Sequence, residues 1–599
     1  MAKSHEAALF NHFTNGEEDL NTPIVSFRDF GFQYTAQAEP TLHHINLDIF
    51  PGEKILIAGA SGSGKSTLGN CINGLIPFAY PGEITGELTV GDKAVKDSSI
   101  FELSRLVGTV LQDTDGQFIG LTVGEDIAFA LENECVPQDK MKETVDMAAD
   151  LVDIGTHLKH APGELSGGQK QRVSLAGVMV DDVKVLLFDE PLANLDPAAG
   201  QAAIELIDKV SEATGAAVMI IEHRLEDVLW RHVDRIVLMN DGEIVADKRP
   251  EEMLSGSLLL EHGIREPLYL TALRYAGVKI TPAMQPQHVE TLVLKEEEKK
   301  AVADWAEAEN HKKTAEEEKK AQPLLEIKNL CFGYEADNSA LENVSFCLRE
   351  GEMAAVVGRN GAGKSTLAKL ICGFEKPDSG EILLEGRSIL QDTIKERARS
   401  IGYVMQNPNQ MICKSMIWEE VELGLLQSEL SSEERKERVE ETLKICGLYP
   451  YRNWPVSALS YGQKKRVTIA SILVQKPKLI ILDEPTAGQD YRHYTEIMEF
   501  LLELNQKGYT ILMITHDMHL MLEYTPRAIV FSKGKLLADT GAARVLNSPE
   551  LVKAASLKIT SLYSLSNACG LANPQAFTEA FIARERRMRS SGQEERKNG

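Results

Sequence analysis

The chain has 599 residues, 64 of them basic and 89 acidic, for a formal net charge of −25. That length leaves room for several domains, and so acidic a balance excludes general electrostatic adhesion to nucleic acid or anionic lipid. The eight cysteines are scattered singly with no CxxC pair, which disfavours a zinc site or a disulfide framework and suits a reducing compartment.

The first residues, MAKSHEAALFNHFTNGEEDL, hold no apolar stretch of signal-peptide kind. No uncharged apolar run nears the roughly 18 residues of a membrane span. The expectation is a soluble chain whose membrane association runs through a partner. Residues 1–21 read as an N-terminal tail and 22–265 as a first domain. Tyr34 ends the first apolar strand (FGFQY). Its ring has the face needed to stack on adenine, or it is an ordinary core aromatic.

ILIAGASGSGKSTL (55–68) is an apolar run, a glycine-rich turn and a polar helix start, the context a phosphate-binding loop needs. Gly59, Ser61, Gly62 and Gly64 let backbone N–H groups curl round phosphate oxygens, and the helix N-terminus carrying Thr67 adds partial positive charge. Lys65 is expected to reach the β- and γ-phosphates and Ser66 to ligate Mg²⁺. Gln112 follows the next apolar strand (VGTVLQ); a Gln amide there can ligate Mg²⁺ or position water. VKVLLFDEP (183–191) reads as a buried parallel strand ending in two acids, at the strand end where α/β sheets bind ligands. Asp189 is the expected Mg²⁺-side carboxylate. Glu190 can act as base toward the attacking water. VMIIEHR (218–224) is another apolar strand, and its His223 is placed to contact the γ-phosphate.

Residues 266–322 read as an appendage and a charged linker. Their stretch KEEEKKAVADWAEAENHKKTAEEEKK (295–320) has the composition of a solvated helix. The whole motif series then repeats in the same order. CFGY gives Tyr334, and GRNGAGKST gives Gly358, Asn360, Gly361, Gly363, Lys364, Ser365 and Thr366. IGYVMQ gives Gln406, LIILDEP gives Asp483 and Glu484, and ILMITHD gives His516. Chance does not preserve several motifs in order at a near-constant offset, so the chain is a duplication. The second domain is expected over 323–560, and 561–599 as a C-terminal helix followed by a disordered tail. LSGGQKQR (165–172) also recurs, as LSYGQKKR (459–466), with Tyr461 in the place of Gly167.

Together these residues resemble the ATP-binding cassette (ABC) ATPases over both halves of the chain. The resemblance implies an α/β fold of two tandem P-loop NTPase domains. Each would have a RecA-like core, a small antiparallel sheet and a helical subdomain. It implies ATP and Mg²⁺ as cofactors, with Ser66, Gln112 and Asp189, or Ser365, Gln406 and Asp483, on the metal. In that family the signature approaches the γ-phosphate held by the opposite domain. Ser460, Gly462 and Gln463 would then complete the site built on Lys65, with Glu190 and His223 catalytic. Ser166, Gly168 and Gln169 would complete the site on Lys364, with Glu484 and His516 catalytic. Tyr461 replaces the first signature glycine and leaves Gly462 in place. ANLDP (193–197) and AGQD (487–490) match the family's seam loop, the second carrying Gln489 where the first has Leu195.

The segments 112–133 and 406–425 are similar to those of energy-coupling factor (ECF) ATPases, and the fused layout to proposed hydroxymethylpyrimidine/thiamine importers. That resemblance implies vitamin or metal-ion uptake, a transmembrane subunit and a substrate-binding membrane subunit as partners, and a peripheral place on the cytoplasmic face of the membrane. No nucleic-acid partner is expected. Sugar-importer tandem ATPases and soluble ribosome-associated ABC proteins are the alternatives.

Overall fold

The structure is a computed structural model and describes residues 21–598 apart from 113, 182, 194, 313–320, 336–337, 427 and 488. All of the expected N-terminal tail but Asn21, the end of the charged linker, and Asn194 and Gly488 of the seam loops lie outside the described residues. The chain divides into two compact units, Met1–Glu298 and Lys299–Gly599.

The first unit holds β1 (Val25–Tyr34), β2 (Leu42–Ile49), β3 (Lys54–Gly59), β4 (Gly82–Val90), β5 (Lys93–Ala94), β6 (Val107–Val110), β7 (Val185–Asp189), β8 (Ala217–Ile221), β9 (Arg235–Asn240) and β10 (Glu243–Lys248). A four-stranded antiparallel sheet runs β2-β1-β4-β5, and a six-stranded sheet runs β10-β9-β3-β8-β7-β6. In the larger sheet only the β9–β10 pair is antiparallel. Strands covered on both faces must be apolar throughout, and every residue of β3 and β8 is buried. Phe27, Phe30 and Phe32 of β1 fill the space against Ile55, Ile57, Leu187 and Met219, so the small sheet is clamped on the parallel one. Helix α1 (Lys65–Ile72) follows β3, and α2 (Val123–Asn133), α3 (Gln138–Leu151) and α4 (Gly167–Met179) pack together as a helical part.

The second unit repeats the plan with β11 (Pro323–Glu335), β12 (Asn338–Arg349), β13 (Met353–Val357), β14 (Ser379–Leu384), β15 (Arg387–Ser388), β16 (Ile401–Val404), β17 (Leu479–Asp483), β18 (Thr510–Ile514), β19 (Arg527–Ser532) and β20 (Lys535–Gly541). Its sheets run β12-β11-β14-β15 and β16-β17-β18-β13-β19-β20. The expected α/β architecture of two repeated domains is therefore present.

The segment after residue 265 is more firmly packed than its composition suggests. Helix α5 (Leu268–Tyr275) buries Leu268, Tyr269, Leu270, Ala272 and Leu273. It docks on the first unit through Leu268 N, which donates to Glu226 Oε2 at 2.8 Å. Helix α6 (Glu296–His311) is helical as expected, but it is not a solvated helix. Val302, Ala306 and Glu309 are buried. Trp305 meets Phe577 edge to face with ring centroids 5.8 Å apart, and Glu309 pairs with Arg587 and Lys312. The cause is the spacing of residues 302, 305, 306 and 309, which puts them on one helical stripe. In the second unit, α7 (Lys364–Cys372) follows β13, and Ile417–Glu422, α8 (Ser432–Ile445) and α9 (Tyr461–Leu473) form its helical part. The last helix, α10 (Pro574–Asn598), continues through residues expected to be a disordered tail.

Candidate functional site

In each unit the apolar strands β3 or β13, β7 or β17 and β8 or β18 lie side by side, so the polar residues that follow them are delivered to one edge of the sheet. The glycine loop makes its turn because only glycine suits the geometry. Gly64 has φ +95°, and a Cβ there would lie 2.7 Å from Leu42 Cδ2; Gly363 has φ +98°, and its Cβ would lie 2.7 Å from the Ala340 carbonyl. Ser61, Gly62, Asn360 and Gly361 form the exposed crest of the two loops.

Lys65 and Lys364 are buried, and their ammonium groups point back into their loops. Lys65 Nζ donates to the carbonyls of Gly59 at 2.9 Å and Ala60 at 2.7 Å. Lys364 Nζ donates to those of Gly358 at 2.7 Å and Arg359 at 3.0 Å. Ser66 Oγ donates to Asp189 Oδ1 at 3.3 Å. Burial pushes the Asp189 carboxyl above its ordinary range, with the Ser66 hydroxyl and Lys65 opposing. Burial likewise raises Asp483, with the hydroxyls of Tyr403 and Ser365 opposing. Tyr34 Oη lies 3.2 Å from Thr67 Oγ1 and Tyr334 Oη 3.4 Å from Thr366 Oγ1, so both tyrosines sit against the helix that carries the lysine. The Tyr334 ring is exposed, with Lys369 Nζ 5.9 Å from its centroid.

Each Glu following the Asp adopts the left-handed backbone region, φ 49° at Glu190 and 45° at Glu484. The bonds Glu190 N to Ile221 O and Glu484 N to Ile514 O, both 2.9 Å, hold that turn against the neighbouring strand. Strain of this kind persists only where its surroundings enforce it. Gln112 Nε2 donates to Glu190 Oε2 at 2.5 Å, and His223 Nδ1 is 3.8 Å from Glu190 Oε1. Burial raises the Glu190 carboxyl, and nearby Glu222 and Asp189 add to the rise while His223 opposes it. His516 Nδ1 is 2.8 Å from Glu484 Oε1. The loop Lys, the Ser, the Asp–Glu pair and the His therefore come together within each unit.

The signature residues are not part of these clusters. Ser166 and Ser460 cap α4 and α9. Ser166 N donates to Gln169 Oε1 at 2.9 Å and Ser460 N to Gln463 Oε1 at 3.0 Å, closing reciprocal capping boxes. Within their own units Gly168 and Gly462 face only ordinary contacts, at 3.8 and 3.7 Å from an added Cβ. Local packing does not require glycine at either position.

Three residues near the sites escaped the sequence reading. Glu222 is fully buried beside His223, 3.1 Å from its Nδ1. Its carboxylate accepts from the backbone N–H groups of His223, Arg224 and Leu192, and the second unit has Thr515 in its place. Tyr403 donates to Asp483 Oδ2 at 2.9 Å, where the first unit has Thr109. Lys465 is buried where the first unit has Gln171, and burial lowers it to about 8 against the pull of Asp483 and Glu484. Comparing the two repeats position by position was the signal available for all three.

Gln489 is 7% exposed, and among the described residues neither atom of its amide has a hydrogen-bond partner. A buried unsatisfied amide costs about 1–3 kcal/mol. Gln489→Leu, which installs the first unit's residue, should therefore stabilise the second unit by about that amount. An unchanged or lower urea midpoint would show that the amide is satisfied in solution.

A family model described as "ABC transporter" matches residues 42–193 and 341–487. A second, described as "ATP-binding cassette cobalt transporter", matches residues 256–332. A protein of Clostridium perfringens named "Putative ABC transporter ATP-binding protein" is 58% identical over 567 residues, 95% of this chain and 99% of that one. An Enterococcus faecalis protein of the same name is 56% identical over 573 residues, 95% of this chain and 100% of that one. A solved structure titled as cbiO1 from Clostridium perfringens, part of the ABC transporter complex cbiONQ, aligns over 39% of this chain and 93% of that one at 34% identity with a TM-score of 0.37. With near-full-length relatives at this identity, and with the phosphate loop, acid pair and histidine assembled twice, the chain belongs to the ABC transporter family as a tandem ATP-binding, ATP-hydrolysing subunit.

Proposed function

We propose that the chain drives an ECF-type importer, taking up a vitamin or a metal ion, from the cytoplasmic face of the membrane. The observation that carries this reading is the doubled cluster of Lys, Ser, Asp–Glu and His, each at the carboxyl edge of a parallel sheet. The family model over 256–332 supports metal-ion cargo; nothing comparable supports a thiamine precursor. Among the described residues no helix is long and apolar enough to cross a membrane; in this reading transmembrane and substrate-binding partner subunits supply the translocation path.

ATP is the fuel. Ser66 and Asp189, or Ser365 and Asp483, offer adjacent hard oxygens of the kind Mg²⁺ takes, and Gln112 lies beside the first pair on Glu190. No group of three or more His, Cys, Asp and Glu able to hold a metal is present among the described residues, which suits an ion that binds chiefly through phosphate and water. Mg²⁺ would neutralise charge on the β- and γ-phosphate oxygens. Lys65 or Lys364 turns its ammonium from loop carbonyls to the phosphates. Glu190 or Glu484 accepts a proton from a water attacking the γ-phosphorus in line, and His223 or His516 contacts the γ-phosphate. Tyr34 or Tyr334 supports the adenine. As the family resemblance implies, the capped helix N-terminus at Ser460–Gln463, or at Ser166–Gln169, would stabilise the developing charge on the nucleotide held by the other half.

The surface offered to the transmembrane subunit follows Gln112. Ile119 is 65% and Leu121 82% exposed, and Phe118 is half-buried. The counterpart pair in the second half, Met411 and Ile412, packs instead against its own unit's core, so it is the weaker docking candidate. Ile119→Asp with Leu121→Asp should abolish co-purification with the membrane subunits and substrate uptake, while ATP binding by the isolated chain persists. Normal assembly and uptake in that variant would overturn the docking surface.

A further inference from the structure

The second half carries polar groups that the first lacks, and two of them converge on one backbone segment. Tyr461 and Lys465 stand where the first signature helix has Gly167 and Gln171. They are one turn apart and share a face of α9. Lys465 is 1% exposed. Its ammonium donates to the carbonyls of Met405 at 2.8 Å and Gln406 at 2.6 Å. Tyr461 Oη donates to the same Gln406 carbonyl at 3.4 Å. In the first half Gln171 donates elsewhere, to the Pro191 carbonyl at 2.5 Å, and Gly167 has no side chain with which to reach the corresponding loop.

A buried ammonium is strongly unfavourable unless its donors are met. Here the partners are two consecutive carbonyls where the chain leaves β16 for the helical part. A bond to each removes the freedom of that peptide to rotate. Gln406 projects from it, and the charges of Asp483 and Glu484 act on the same ammonium.

We propose that Lys465, assisted by Tyr461, is a positioning residue that fixes the backbone carrying Gln406, making the site on Lys364 differ in turnover from the site on Lys65. The proposal rests on the ATPase reading above. It adds a built-in asymmetry, in which the second half's signature helix and its Gln406 loop are tied together and, among the described residues, the first half's are not tied in this way.

The test uses the full chain with Lys65→Ala, so that only the Lys364 site turns over. Lys465→Gln, the first half's residue, should lower kcat by about tenfold or more, as small misplacements near a reacting centre do. The KM for ATP should change less than kcat, because the phosphates are held chiefly by Lys364 and its loop, which the tether does not touch. Tyr461→Phe deletes one exposed hydroxyl without disturbing the helix, and should shift kcat in the same direction by less. In the full chain without ATP, hydrogen exchange of the peptide 403–412 should accelerate in both variants. Unchanged exchange in both would overturn the tether. Faster exchange with unchanged kcat, or an equal change in kcat/KM through KM alone, would overturn its role in turnover. A Lys65→Ala chain without measurable turnover would instead overturn the reading of independently active sites on which the proposal rests, whereas unchanged exchange would overturn the tether itself.

Discussion

ATP turnover is expected to fall about a hundredfold to ten-thousandfold when Glu190 and Glu484 are both changed to Gln, the range that removal of a positioned base usually costs. Glutamine keeps the volume and one acceptor oxygen, so the strained turn at φ 49° and 45° and the strand bonds that hold it can remain. What is lost is a carboxylate able to take a proton from water. Each single change should silence its own site, and the double change should leave ATP bound and uncleaved. The checking measurement is single-turnover hydrolysis with recovery of the bound nucleotide. Intact ATP recovered from the double variant supports the assignment, and wild-type cleavage contradicts it.

The next largest effect is expected on nucleotide affinity. Lys65 and Lys364 are buried donors already desolvated by the fold, each held by two loop carbonyls. Turning such an ammonium toward a phosphate makes charge-assisted bonds without a new desolvation cost. Lys65→Ala or Lys364→Ala should weaken ATP binding at its own site by about 1.5–3 kcal/mol, the contribution of hydrogen bonds to charged groups. Equilibrium titration with a fluorescent ATP analogue would show one weakened and one unchanged site for each variant. Two unchanged sites would remove the lysines from the binding role.

Much of this organisation is legible in the sequence because the physics behind it is local. A glycine-rich turn between a continuous apolar run and a polar helix start reads directly from residues 55–68, and an apolar strand ending in Asp–Glu from 185–190. Duplication removes most of the ambiguity, since a motif that is ordinary once is informative when repeated in order. The tertiary consequences were harder to read. Glu222 looks like one more acid beside a histidine until the fold buries it completely. Lys465 looks like surface charge in KKR until α9 turns it onto the Met405 and Gln406 carbonyls. The charged run at 295–311 hides its packing stripe because Glu309, a nominally exposed residue type, is buried with Arg587 as its partner. Met411 and Ile412 sit in a polar loop of the sequence, and only the fold shows that both are partly buried against their own unit's core.

We propose that each ATP site is finished by the signature of the other half. This is tested most directly by combining lesions in the full-length chain and measuring ATP turnover. Residues that serve one site give non-additive losses, whereas residues of different sites compound. Lys65→Ala with Ser460→Arg should be no worse than either change alone, since both strike one site. Lys65→Ala with Ser166→Arg should abolish turnover, because it strikes both. The reverse result, complete loss with Ser460→Arg and no added loss with Ser166→Arg, would place each signature in its own half's site and refute the shared sites.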